Sequence, residues 1–553
     1  AKPVVAACAR VVRKLNPRID PGINGCHVED PWVSRTAAAL NELHRSFRID
    51  TTGSSDHRQA TRESAPGESA VPSVVEGWVC SRGFTLNRSR KVVLLKLIFC
   101  VVVAFGLPPD STQSSVRVTA DPVIEVPETP VLRGDPIEIR ISGLAPRARV
   151  TIIAERTWGR RRPAVYRSTA RYAADDDGVL NLSTAKPLEA PWEGVDPSGL
   201  FWSMKPTKED VPAGRSSNDV EIMVDVDDDG EAEASAVVRS IRGRDELVET
   251  PMGDDFPGAF LLRPPGNDPL PAIMVLGGSE GGDSAARRIA PKLASRGYAV
   301  VGFPYHSPAY WGQKPQFPEL PRAFHDIPID RLEMVRDWLR KRDDIQKDRI
   351  ALYGVSKGSE FALLAGSLID GFSGIVAYVP SDVVWEAWGP GTTEGENSCF
   401  SWRGEPLPFL PYKGMSAEIA KFRTGERVRM RTPHDAGRAA HPERIAAARI
   451  HVEKIDEPVF IVGADADDVW DSGEMARNIL AARKKAGLKT VAIIDPKAGH
   501  GLSGDGYTPT SAPEGRVQGK AFPAMLQCLD ECLRDRERTS ESSPPKNVLL
   551  PQG

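Results

Sequence analysis

The pattern of hydrophobic and polar positions changes period along this chain. Between about residues 116 and 245, apolar and polar side chains alternate in short runs: Val116–Thr119, Ile137–Ile141, Val150–Ile153, Ser168–Tyr172, Val220–Val226 and Ala236–Arg239. A period of two puts every second side chain on one face of a strand. Turn residues punctuate the runs at Arg133-Gly134-Asp135-Pro136, Gly143-Leu144-Ala145-Pro146 and Asp175-Asp176-Asp177-Gly178. Short strands separated in this way predict a β-sandwich over 116–245.

From about Thr250 the alternation gives way to short apolar runs at Ala272–Leu276, Ala299–Phe303, Ile350–Tyr353, Ile375–Val379, Val459–Val462 and Thr490–Ile494. Helical spacing separates them. Ser284–Arg296 reads as a helix, and Leu332, Val335, Trp338 and Leu339 share one face of another over Ile329–Leu339. Strands that alternate with helices predict a mostly parallel sheet covered on both faces, an α/β domain over 246–535. Residues 385–455, rich in Pro, Gly and Trp and then basic, read as an irregular insertion forming a lid or pocket wall. Residues 536–553 read as a polar tail.

The first part of the chain carries no such pattern. Residues 1–86 are rich in Ser, Arg, Pro and Gly, and are expected to be disordered or a spurious leader. Residues 87–110 differ: basic Asn87–Lys91 precedes the apolar run Val92–Leu107, interrupted by Lys96, with small residues at Ala104-Phe105-Gly106. That is a signal-like pattern, or a membrane anchor through 92–107. It predicts a true start between residues 74 and 87. The protein is then exported or membrane-anchored if the segment acts as a signal, and cytoplasmic otherwise.

Composition narrows the partners. A net charge of −4 over 553 residues gives no ground for nucleic acid or an anionic lipid surface as a ligand. The seven cysteines show neither C-x-x-C pairs nor metal-ligand spacing; no metal is expected, and no cofactor is expected either. Cys528 and Cys532, on one face of a predicted helix, are expected as two buried thiols rather than a disulfide. Asp225, Asp227, Asp229 and Gly230 match the first half of a calcium loop, but Ala236 stands where the closing glutamate belongs, so an acidic turn is expected.

The chemistry centres on Gly354-Val355-Ser356-Lys357-Gly358, between the strand at Ile350–Tyr353 and a helix over Ser359–Ile369. Strand, G-x-S-x-G, helix is the nucleophile-elbow context of an α/β-hydrolase. The tight turn needs glycine on either side and lifts the Ser356 hydroxyl clear of the sheet. A serine needs a base, and in the order Ser…Asp…His the expected base is His500, in Lys497-Ala498-Gly499-His500-Gly501, with His306, after Phe303-Pro304-Tyr305, as its competitor. The acid should follow Val459–Val462; Asp467 is the first choice, with Asp465 and Asp468 as alternates. Donors for the oxyanion are expected from the backbone of Lys357 and from the loop Gly277-Gly278-Ser279-Glu280-Gly281-Gly282, at Ser279 and Glu280. Gly278, His306 and Trp470 are expected to contact substrate.

With these residues in place, the chain resembles the acyl-CoA thioesterase and bile acid-CoA:amino acid N-acyltransferase (BAAT) family. The resemblance rests on Tyr172-Ala173-Ala174-Asp175 through Gly178, Trp192-Glu193-Gly194-Val195-Asp196-Pro197-Ser198-Gly199-Leu200-Phe201-Trp202-Ser203-Met204, the elbow through Glu360, Val452-Glu453-Lys454-Ile455, Asp467-Asp468-Val469-Trp470 and Ala498-Gly499-His500. It implies an immunoglobulin-like sandwich joined to an α/β-hydrolase domain, and a Ser356, Asp467, His500 triad. Family members usually continue after the base with Ile-Glu-Pro-Pro-Tyr; here Gly501-Leu502-Ser503-Gly504-Asp505-Gly506-Tyr507 stands instead. Cysteine members of the family transfer the acyl group to an amino acid, whereas serine members mostly release it to water. An acyl-cysteine remains an activated thioester and an acyl-serine does not. The expected activity is therefore serine-dependent hydrolysis of acyl-CoA thioesters. The alternatives are an extracytoplasmic esterase or peptidase-like hydrolase, an acyl-CoA:amino acid N-acyltransferase, and a non-enzymatic binding protein.

Overall fold

The computed structural model describes residues 121–159, 163–211, 217–308, 314–534 and 548–549. The leader, the signal-like segment, the strand expected at Val116–Thr119 and most of the polar tail lie outside them. Among the described residues no helix is long and apolar enough to cross a membrane.

The described part of the alternating region folds into two antiparallel sheets that share one core, with Val131–Leu132 and Ser240–Ile241 paired in a small parallel ribbon beside them. Lys205–Asp210, Ala164–Ala173, Arg149–Trp158, Val220–Asp225 and Ala234–Val238 form, in that spatial order, a five-stranded antiparallel sheet. Val123–Glu125, Arg140–Ser142 and Leu180–Asn181 form a three-stranded one. The inward residues Ile137, Ile139, Ile141, Val150, Ile152, Ile222 and Val224 are buried together. Arg149–Trp158 shows why the alternation is legible: its buried positions are every second residue. The acidic stretch Asp225–Gly230 forms a turn between two strands of the five-stranded sheet. Asp225 accepts from the amides of Asp228 (2.7 Å) and Gly230 (2.9 Å), and Glu233 from that of Val226 (2.7 Å).

The second region is built on a nine-stranded mixed sheet. In order, its strands are Val248–Pro251, Phe260–Arg263, Ala299–Gly302, Leu270–Leu276, Ile345–Val355, Gly374–Tyr378, Val459–Ala464, Thr490–Asp495 and Val548–Leu549. The first two are antiparallel additions at one edge; from Ala299–Gly302 onward every pairing is parallel. Helices Ser284–Ala294, Asp330–Arg340, Lys357–Leu368, Ser472–Lys485 and Ala512–Leu533 cover it. Two apolar layers, one for each face, are buried against them. This is the α/β-hydrolase architecture. Cys528 and Cys532 are buried on the last helix as thiols, not as a disulfide.

The insertion over 385–455 is not irregular. It carries the helices Met415–Thr424, Arg431–Ala440 and Pro442–Ala448, and Phe400–Trp402 pairs with Ile327–Pro328 and Glu405–Pro406. Its Pro and Gly content hid them, because short helices set by tertiary packing leave little periodicity. Val383, Trp385, Leu410, Tyr412, Met415 and Ala448 form a small core with Trp470 and Met475, which seats the insertion as a cap on the Asp467 loop.

Candidate active site

Ser356 sits where a central strand turns into a helix. Its backbone, φ 57° and ψ −123°, lies in a region that non-glycine residues rarely occupy. Such a conformation costs about 1–3 kcal/mol and persists only where the surroundings over-determine it. They do so here. The Ser356 amide donates to the Tyr378 carbonyl (3.0 Å), and the Ser359 amide and hydroxyl donate to the Ser356 carbonyl (2.8 and 2.7 Å). A Cβ on Gly354 would meet the Gly358 carbonyl oxygen at 2.2 Å, and one on Gly358 the Leu276 carbonyl oxygen at 2.2 Å. Both flanking positions therefore require glycine, as the sequence pattern predicts.

His500 follows the strand Thr490–Asp495, and its Nε2 lies 3.0 Å from Ser356 Oγ. Its Nδ1 lies 2.9 and 2.8 Å from the two Asp467 carboxylate oxygens. With Nδ1–H held by the carboxylate, Nε2 presents a lone pair to the serine hydroxyl. Asp467 also accepts from Ser472 Oγ (2.6 Å) and the Val469 amide (2.9 Å), which fixes the carboxylate within a fully buried pocket. The alternates are elsewhere: Asp465 is paired with Arg477 (2.7 Å), and Asp468 is exposed.

The glycine loop lies against the nucleophile. A Cβ on Gly278 would come within 3.1 Å of Ser356 Cβ. Gly281 donates to the Gly278 carbonyl (3.2 Å), Gly282 to the His306 carbonyl (2.8 Å), and the Tyr305 hydroxyl to the Gly277 carbonyl (2.7 Å). Ser279 and Glu280 occupy the apex between these anchors. Gly281 has φ +65°, and a Cβ there would crowd Pro308 and His306. On the other side, the amide of Lys357 begins the elbow helix, where no preceding turn supplies a carbonyl.

His306 and Trp470 are both buried. The His306 ring packs at a tilt on Phe324, with ring centres 4.0 Å apart, and burial pulls its pKa down to about 4, so it is neutral. Trp470 donates Nε1–H to the Val379 carbonyl (3.1 Å) and turns an edge toward His500, with ring centres 5.8 Å apart.

Two features escape sequence reasoning. His434, on a cap helix, packs edge-on against Trp385, Tyr412 and Trp470, and burial takes its pKa down to about 3. Behind the nucleophile, Lys357 Nζ donates to Glu360 (2.8 Å) and to Cys399 Sγ (3.2 Å), all three side chains being buried. Glu360 also accepts the Trp385 amide (3.0 Å), so the elbow helix is bonded to the cap. Burial pushes the Cys399 thiol up to about 12, which keeps it protonated. The i, i+3 spacing of Lys357 and Glu360 was visible; their burial was not.

Fold and site together define a hydrolase of the α/β class. Residues 134–241 match the family described as acyl-CoA thioester hydrolase/BAAT N-terminal region, and residues 328–517 match BAAT/acyl-CoA thioester hydrolase C terminal. The chain belongs to the acyl-CoA thioesterase/BAAT family. It is 26% identical over 409 residues to mouse mitochondrial acyl-coenzyme A thioesterase 2, covering 72% of this chain and 83% of that protein. It is 28% identical over 384 residues to mouse acyl-coenzyme A thioesterase 5, covering 66% and 82%. Among solved structures, a brefeldin A esterase matches at 17% identity and a TM-score of 0.32, over 53% of this chain and 78% of that one.

Proposed function

We propose that this protein is a serine-dependent acyl-CoA thioester hydrolase working through an acyl-serine intermediate. The observation that carries the reading is the continuous hydrogen-bonded line from Ser356 Oγ through His500 to Asp467. Ser356 Oγ attacks the thioester carbonyl while His500 Nε2 takes its proton; Asp467 stabilises the imidazolium. The oxyanion is held by the backbone amide of Lys357 and by one from the loop apex at Ser279 or Glu280; such a donor is typically worth about 3 kcal/mol. The tetrahedral intermediate expels the CoA thiolate, which receives the proton from His500. Water, deprotonated by the same imidazole, then attacks the acyl-serine; the acid leaves and Ser356 regains its proton.

The serine nucleophile favours water over an amine as acceptor, because an acyl-serine is an ordinary ester. The substrate class rests on the family. The sandwich, described from residue 121 onward, is proposed to be immunoglobulin-like; the three-stranded and five-stranded antiparallel sheets over one core support this. The test is a panel of acyl-CoAs with and without glycine or taurine, following thiol release and the acyl product. The reading expects free acid in both cases. Amide as the main product would replace hydrolysis with transfer.

A further inference from the structure

The long motif at residues 192–204 takes no part in the chemistry above, and neither does the run that follows His500. The structure brings them together. Asp196 organises the motif: its carboxylate accepts from the Ser198 amide (2.9 Å), the Ser198 hydroxyl (2.7 Å) and Trp202 Nε1–H (3.0 Å). This locks the buried helical turn Gly199–Trp202 against the sandwich core.

Tyr507, a short way beyond the base, enters that core. Its ring centre lies 5.0 Å from Phe201, and it is buried among sandwich residues although it belongs to the hydrolase part of the chain. Its hydroxyl donates to the Asp135 carbonyl (2.8 Å), and its own carbonyl accepts from Arg156 Nη2 (3.2 Å). The Thr510 amide donates to the Trp202 carbonyl (3.0 Å). Asp505 accepts from the Tyr507 amide (3.0 Å) and is ion-paired with Lys292 (2.5 Å) in a buried setting. The segment between the base and this socket is Gly501-Leu502-Ser503-Gly504-Asp505-Gly506, with three glycines and no regular structure of its own. Its other flank is tied to the last helix, where Glu514 accepts the Gly499 amide (2.8 Å) and Gln518 donates to the Gly501 carbonyl (2.7 Å). Gly515 of that helix lies so close to Trp202 that a Cβ would come within 2.3 Å of the indole.

We propose that the N-terminal sandwich is a positioning element for the catalytic base: the 192–204 motif forms a socket for Tyr507, and Tyr507 and Arg156 are positioning residues that hold His500 within reach of Ser356. This rests on the triad reading. The glycine-rich segment does not hold its own shape, so the position of His500 depends on what anchors the segment at each end, the last helix at Gly499 and Gly501 and the socket at Tyr507; a displacement of about 1 Å at a reacting group can cost on the order of 100-fold in rate.

The experiment is a double-mutant cycle on the full chain, with the folded fraction of each of the four variants measured by near-UV circular dichroism and urea unfolding so that misfolded protein does not enter the rate. Tyr507→Ala is expected to lower kcat by about 10- to 100-fold with KM within about twofold, while Tyr507→Phe, which keeps the ring, loses only a few-fold. In a His500→Ala background Tyr507→Ala is expected to cost nothing further, because the residue through which it acts is gone. The same fold-loss in both backgrounds, or a loss confined to KM, overturns the proposal. If Tyr507→Ala does not fold, Tyr507→Phe is run through the same cycle and decides by the same criterion. A His500→Ala variant that retains full turnover contradicts the triad reading instead, so the two failures are distinct.

Discussion

Ser356 Oγ and His500 Nε2 lie 3.0 Å apart, although 144 residues separate them along the chain. The parallel sheet makes this meeting possible. The elbow strand Ile345–Val355 and the strands Val459–Ala464 and Thr490–Asp495 run in the same direction, so the loops that follow them gather at one edge. Serine, aspartate and histidine each stand just beyond one of these strands.

The acid is the sharpest discrimination available within one loop. Asp467→Asn keeps the shape but deprives His500 Nδ1–H of its carboxylate, and kcat is expected to fall on the order of 10⁴-fold. Asp465→Asn removes only a partly exposed pair with Arg477 and should leave kcat within about twofold. Steady-state thiol release from both variants checks the assignment.

The glycine contacts separate folding from chemistry. Gly354→Ala and Gly358→Ala push a methyl group into backbone atoms and are expected to destabilise the protein by about 3 kcal/mol or more. Gly278→Ala meets the nucleophile itself at 3.1 Å, so it should retain most of its stability and lose activity. Urea unfolding beside kcat for the three variants tests the difference.

The ion pair behind the nucleophile gives a stability prediction. Glu360→Leu leaves the Lys357 ammonium buried without its partner and should cost about 3–5 kcal/mol. Adding Lys357→Met removes that orphaned charge and should recover part of the loss. Chemical denaturation of the single and double variants reads the coupling.

His306 and His434 make stability depend on pH. Both are neutral when folded, with pKa values pulled down by burial to about 4 and about 3, whereas an unfolded histidine takes up its proton near pH 6.5. The unfolded chain therefore binds more protons over this range, and stability is expected to fall as pH drops from about 6.5 toward about 4. Above pH 6.5 these two residues should have no effect on the slope. Unfolding midpoints against pH should flatten in His434→Gln and again in His306→Gln.

Much of this site could be read from the sequence because its chemistry is local. The elbow needs Gly354 and Gly358 in one pentapeptide, the acid is confined to the short loop after Val459–Val462, and His500 closes a chain order. The central strands were legible for a related reason: both faces are covered, so Ala272–Leu276 and Val459–Val462 read as unbroken apolar runs. The edge strands Val248–Pro251 and Phe260–Arg263 were not, since a short run beside turn residues carries no distinct period. The cap helices were hidden by Pro and Gly, and His434 by arginines around it. Tyr507 belongs to a core formed almost wholly by residues far earlier in the chain, and no local pattern announces that.

The central claim is that Ser356 is the nucleophile. Its most direct test is the rate of thiol release from an acyl-CoA by Ser356→Ala against the native chain, with equal folding verified by circular dichroism. The account predicts a fall in kcat on the order of 10⁴- to 10⁶-fold. Turnover by Ser356→Ala at a rate close to that of the native chain would contradict it.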